Sequence, residues 1–151
     1  MIPILELVAD HPTLELPAGE LLLRQDEPCH ELHVLLEGRV EVLRDDVRVA
    51  RTGEPGAVFG EMSLLLGGPC TASVRALVPS RFAIVGNPLA FLASSPAASF
   101  HVAGLLARRI DALNRYLVDV KHQYEGHDHL GMVDEVLSTL MHRQPGSIAR
   151  P

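Results

Sequence analysis

The sequence predicts a mainly β domain of short strands, followed by a long α-helix and a shorter second helix. Three observations predict it. Across residues 13–93, short runs of β-branched and aliphatic residues are broken repeatedly by Gly, Pro and Asp, the punctuation of short strands and turns. From Pro96 the pattern changes, and no Gly or Pro after Gly104 interrupts the chain until Gly126. Within that stretch Leu106, Ile110, Leu113, Leu117, Val120 and Tyr124 recur at alternating spacings of four and three, a helical period and not a strand period.

The clearest strand pair reads Leu32-His33-Val34-Leu35-Leu36, then Glu37-Gly38, then Arg39-Val40-Glu41-Val42-Leu43. Gly38 can adopt the positive φ of a tight turn, and Val40 and Val42 alternate with Arg39, Glu41 and Arg44, which predicts one buried and one wet face. Asp45-Asp46 makes the next turn and Val47-Arg48-Val49-Ala50 alternates again. Gly53-Glu54-Pro55-Gly56 forms a loop before Val58-Phe59, and further strands read Thr71 to Ala76 and, after Pro79, Arg81 to Val85. Strands recurring about every ten residues have the spacing of a sandwich or roll.

Ser94 or Ser95 can cap the long helix, whose first turn tolerates Pro96. Its four-three spacing is the seam of a left-handed coiled coil, which predicts a homodimer through Leu106, Ile110, Leu113, Leu117 and Val120; the alternative is a helix packed on its own β domain. Gly126-His127-Asp128-His129 breaks this helix. Leu130, Val133, Leu137, Leu140 and Met141 then make a second amphipathic face, which folds back on the seam, closes over the β domain or docks a partner protein. Residues 144–151 read as a disordered end. The predicted organisation is one domain over residues 1–125, with strands at about 13–94 and the helix at about 96–125, and a tail over 126–151.

The chain has a net charge of −6 and clusters no basic residues into a face, which argues against direct nucleic-acid binding. With no Trp, two Tyr and four Phe, stacking platforms for bases are scarce. No apolar run approaches the ~18–20 residues that cross a bilayer, and no basic-then-apolar leader follows Met1, so a cytoplasmic protein away from membranes is expected. Cys29 and Cys70 are too far apart in sequence and too few to suggest a disulfide framework or a cysteine metal cage.

The most specific segment is Val58-Phe59-Gly60-Glu61-Met62-Ser63-Leu64-Leu65-Leu66-Gly67-Gly68-Pro69-Cys70-Thr71-Ala72-Ser73-Val74. A strand ends in glycine, an acidic residue opens one helical turn, and a glycine-rich loop returns to a strand carrying hydroxyls. Such an arrangement aims backbone N–H groups at one point, which favours an anion. The segment resembles the phosphate-binding cassette of the cyclic-nucleotide-binding domain family, of the form F-G-E, a short helix, then P-R-T-A/S-x-V. Leu16-Pro17-Ala18-Gly19-Glu20 with Leu22 and Arg24-Gln25-Asp26-Glu27-Pro28 resembles the family's first strands, Leu32 through Val42 its central hairpin, and Ala107-Arg108-Arg109-Ile110 its C-terminal helix.

The resemblance implies a double-stranded β-helix, a jelly-roll-like β-roll, with a dimerising helix, and a regulator of the bacterial cAMP receptor protein kind that is not an enzyme. It implies no resident cofactor and a cAMP or cGMP effector. By similarity Glu61 would accept the ribose 2′-hydroxyl and Gly60, after Phe59, would let the backbone approach the sugar. The N–H groups of Met62 and Ser63 would face the cyclic phosphate, with the Thr71 hydroxyl and Ala72 N–H on its other side. Leu113 and Asn114 would meet the base, and Arg109 would pair with the cassette glutamate.

The cassette arginine is replaced by Cys70. A charge-assisted hydrogen bond is worth about 1.5–3 kcal/mol, and an arginine can make two to a phosphate. Arg75 is the nearest downstream cation and shares a strand face with Thr71 and Ser73 only if no bulge intervenes. Three readings follow: weak nucleotide binding, another small effector in the same pocket, or an empty pocket in a dimeric scaffold. Residues 126–151 are fewer than the roughly 60–70 of a small DNA-binding domain, so a complete polypeptide of this length is expected not to be a transcription activator of that family. His33 is expected to pack on its strand. His122, His127, Asp128 and His129 could ligate zinc, but a polar turn explains them equally, and no metal is expected. No nucleophile elbow, Walker loop or cysteine–histidine constellation points to catalysis.

Overall fold

A computed structural model describes residues 3–123 and 130–142. The chain divides into two compact units, Met1–Leu105 and Leu106–Pro151. The first opens with α1 (Ile4–Leu7) and carries eight strands: β1 (Thr13–Leu16), β2 (Leu21–Leu23), β3 (Leu32–Glu37), β4 (Val40–Arg44), β5 (Val47–Thr52), β6 (Val58–Phe59), β7 (Ser73–Ala76) and β8 (Ser80–Val85). The helix α2 (Glu61–Leu66) interrupts them after β6, and α3 (Pro88–Ser94) and α4 (Pro96–Gln123) follow. Two antiparallel four-stranded sheets result, ordered β1-β8-β3-β6 and β2-β7-β4-β5. This is the β-roll the sequence predicts.

The core lies between the sheets, where Leu16, Leu35, Phe59 and Phe82 of one meet Val40, Val74 and Ala76 of the other. Phe59 and Phe82 cross edge-to-face with ring centroids 6.3 Å apart, a favoured aromatic geometry. His33 is buried beside Phe59 in the β3–β6 pairing, and burial pushes its pKa down.

Four expectations are corrected. The segments 32–36 and 39–43 do not pair as a hairpin, because β3 and β4 belong to different sheets. Gly38 turns the corner between them with φ 116°, and a β-carbon there would lie 2.7 Å from Ser80 Cα, so close approach as well as torsion demands glycine. The true hairpin is β4–β5, closed by Asp45 and Asp46, both at positive φ. The wet face assigned to Glu41 is also wrong: this carboxylate is 2% exposed. The alternation of Val47-Arg48-Val49-Ala50 makes no buried face either: all four residues are exposed on the sheet-edge strand β5. Finally, β7 begins at Ser73, which leaves Thr71 and Ala72 in the bend before it.

Ser95 caps α4, its Oγ accepting the Ala98 N–H at 3.2 Å. Ala98 and Val102 bury the first turns of α4, and His101 Nε2 lies 2.8 Å from the Gly56 carbonyl oxygen. In the second unit Ile110 and Leu113 are 49% and 45% exposed, while Leu106, Leu117 and Val120 are half-buried. The tail helix α5 (Leu130–His142) forms as expected, and Lys121 of α4 pairs with its Asp134. Tyr124, the break at 126–129 and the end at 144–151 lie outside the described residues. Among the described residues no single helix is long and apolar enough to cross a membrane.

Candidate functional site

The site is built on the turn from β6 into α2. β6 ends by burying Phe59 in the core, and the chain must then reverse within one residue. Gly60 does this at φ 93°, and a β-carbon there would lie 2.7 Å from the Glu31 carbonyl oxygen. A side chain at this position would meet both the left-handed torsion and the Glu31 backbone. The turn places Glu61 at the head of α2, 4% exposed, where unpaired helical N–H groups favour negative charge. Ser63, equally buried, donates its hydroxyl back to the Gly60 carbonyl oxygen at 3.2 Å, and Met62 points outward.

α2 ends where Gly67 N–H donates to the Ser63 carbonyl oxygen at 2.9 Å. The loop through Gly68 and Pro69 then brings in Cys70, whose N–H donates to the Glu27 carbonyl oxygen at 2.8 Å while its own carbonyl oxygen accepts from Asp26 N–H at 2.9 Å. Thr71 and Ala72 follow, half-buried. Ser73 is committed to the scaffold, its Oγ accepting the Gln25 N–H at 2.9 Å.

Residues 13–88 match the family model described as cyclic nucleotide-binding domain, and this match includes the whole segment just described. The chain belongs to the cyclic nucleotide-binding domain family. It is 32% identical over 76 residues, half of its length, to a cAMP-dependent protein kinase regulatory subunit of Emericella nidulans. It is 26% identical over 113 residues, 71% of its length, to a CRP-like cAMP-activated global transcriptional regulator of Mycobacterium tuberculosis. The chain spans 18% and 50% of the lengths of these two relatives. Among solved structures, the Thermus thermophilus catabolite activator protein superposes with a TM-score of 0.61 at 25% identity, over 91% of this chain and 82% of that one. The sensor domain of the Pseudomonas aeruginosa transcriptional regulator DNR gives 0.54 at 26% identity, over 74% and 77%.

Within this family's cassette, the structure shows what the Cys70 replacement entails. Cys70 is 3% exposed, and burial, reinforced by the adjacent Cys29 thiol, pushes its pKa up to about 12. It is a neutral packed thiol. Arg75 does not stand in for the missing cation, because its guanidinium is bound to Glu41, with Nε 2.8 Å from Oε1. Arg48 Nε holds the other carboxylate oxygen at 2.8 Å. The Arg75 hydrogen bond, opposed by burial and aided by Arg48, holds the Glu41 carboxyl below the usual carboxylate range. Sequence reasoning missed this ion cluster, since its members sit on three strands, and it missed the meeting of Cys29 with Cys70.

The remaining expected site residues lie on α4 in the second unit. Arg109 and Leu113 are exposed; Asn114 is half-buried, with its Oδ1 buried and lacking a hydrogen-bond partner. Of the residues read as a zinc set, His122 is exposed at the end of α4, and His127, Asp128 and His129 lie outside the described residues. Among the described residues no group of three His, Cys, Asp or Glu side chains is placed to hold a metal.

Proposed function

We propose that this chain is a regulatory module, not an enzyme, that binds cAMP or cGMP weakly and acts as a homodimer. The observation that carries the reading is the left-handed Gly60 turn delivering a buried Glu61 to the head of α2. By the family's pattern, Glu61 accepts the ribose 2′-hydroxyl. The N–H groups of Met62, Ser63 and Ala72 and the Thr71 hydroxyl surround the cyclic phosphate. Binding becomes a signal when the ligand favours one conformation of the module over another. The kinase regulatory subunit and the cAMP-activated regulator among the relatives support a signalling role.

Affinity is low because the phosphate meets a neutral thiol where the family has a guanidinium. Loss of ~3 kcal/mol of charge-assisted bonding weakens binding on the order of a hundredfold. The apolar stripe of Ile110 and Leu113, exposed in the single chain, supports pairing of two copies through Leu106, Ile110, Leu113, Leu117 and Val120. The commitment of Arg75 to Glu41 favours a second reading, a ligand-free dimeric scaffold whose tail residues 130–141 dock a partner protein. A Glu61→Ala variant separates the two: weak, saturable nucleotide binding that disappears in the variant establishes the sensor, and identical flat titrations of both proteins leave the scaffold.

A further inference from the structure

The two cysteines, 41 positions apart, meet beside the cassette. The backbone pairing of Cys70 with Asp26 and Glu27 clamps the segment leading into β3 against residue 70, and Pro28 directs the chain so that Cys29 follows at once. The Cys29 thiol is near enough to that of Cys70 to raise its pKa. Cys29 Sγ also reaches the cassette turn, lying 3.5 Å from where a β-carbon of Gly60 would sit. The pair is asymmetric. Cys70 is almost fully buried, whereas Cys29 is half-buried and lines an open groove of about 660 Å³ together with Asp26, His30, Ser63 and Pro69.

We propose that Cys29 and Cys70 are an oxidisable dithiol, in which Cys29 reduces a hydroperoxide entering the groove and Cys70 closes a disulfide across the cassette. In the first step the Cys29 thiolate attacks one peroxide oxygen and the O–O bond breaks. The departing alkoxide or hydroxide takes up the proton that the Cys29 thiol released on ionising and leaves as alcohol or water, and Cys29 becomes a sulfenic acid. In the second the Cys70 sulfur attacks the Cys29 sulfur, the S–S bond forms and the S–O bond breaks. The departing hydroxide takes the Cys70 proton and leaves as water. Two thiols have lost two electrons and the peroxide has gained them; a dithiol reductant reverses the change by exchange. The disulfide would fix residues 26–29 to the end of the cassette, beside Gly60.

This chemistry is independent of nucleotide binding, and so is its test. The full chain is treated with hydrogen peroxide without nucleotide, alkylated and digested with trypsin. The expected result is a peptide of residues 25–39 joined to one of residues 52–75, separated by dithiothreitol, with the intact chain lighter by a pair of hydrogens. Cys29→Ser should abolish the joined peptide and leave Cys70 reduced at the same peroxide dose. Recovery of the two peptides with free thiols overturns the proposal. So does Cys29 taken to sulfinic or sulfonic acid beside an intact Cys70 thiol, or cross-linking only between chains. The wild-type peptide map decides the matter even if the variant folds poorly.

Discussion

At Gly60 one residue meets two demands, a φ of 93° and a carbonyl oxygen 2.7 Å from the missing β-carbon. Gly60→Ala is therefore expected to cost about 1–3 kcal/mol in urea melts and to lose nucleotide binding with it; an unchanged melt would show that the turn tolerates a side chain. Glu41 gives a second prediction at this scale. Arg75 and Arg48 depress its folded-state pKa, so the charged carboxylate stabilises the fold at neutral pH. That stability is lost as pH falls from the ordinary glutamate value through the lower folded one. Glu41→Gln should lower neutral stability and flatten that part of the acid profile; parallel acid profiles of the two proteins would contradict it. The Gly60–Glu61–Ser63 turn was legible in the sequence because all its determinants are local. The Glu41 cluster was not, since Arg48 and Arg75 arrive 7 and 34 positions later and period-2 alternation cannot reveal a buried ion pair.

The elements were mostly legible and their pairing was less so. The strands, the Ser95-capped helix and the tail helix follow from punctuation and period, but Glu37-Gly38 looked like a hairpin turn because it separates two strand-like runs. At that corner Gly38 packs closely against Ser80, far along the chain, and β4 enters the other sheet. The helices α1 and α3 went unread because four and seven residues are too few to show a helical period. The helical seam carries its own prediction. Ile110→Glu places a charge in the stripe of α4, and sedimentation should change from dimer to monomer while the fold of the β-roll is retained. A wild-type chain that sediments as a monomer at micromolar concentration would remove the seam from the account. Replacing the cap, Ser95→Ala, should cost about 1 kcal/mol of thermal or urea stability, since Ser95 Oγ holds the Ala98 N–H.

For the whole molecule, family membership rests on residues 13–88, and the roll could be anticipated because its strand spacing and its cassette agree. The surroundings of residue 70 could not be. A sequence shows that cysteine replaces arginine, but only the fold shows this cysteine buried against Cys29 while Arg75 is bound to Glu41. The central claim is thus a cassette intact in its backbone and deficient in one cation. The most direct measurement is calorimetric titration of the wild-type chain and of Cys70→Arg with cAMP and cGMP. Saturable wild-type binding that tightens about a hundredfold in Cys70→Arg, as the restored charge-assisted contacts require, is the predicted result. No heat of binding in either protein, with both still folded, would contradict it.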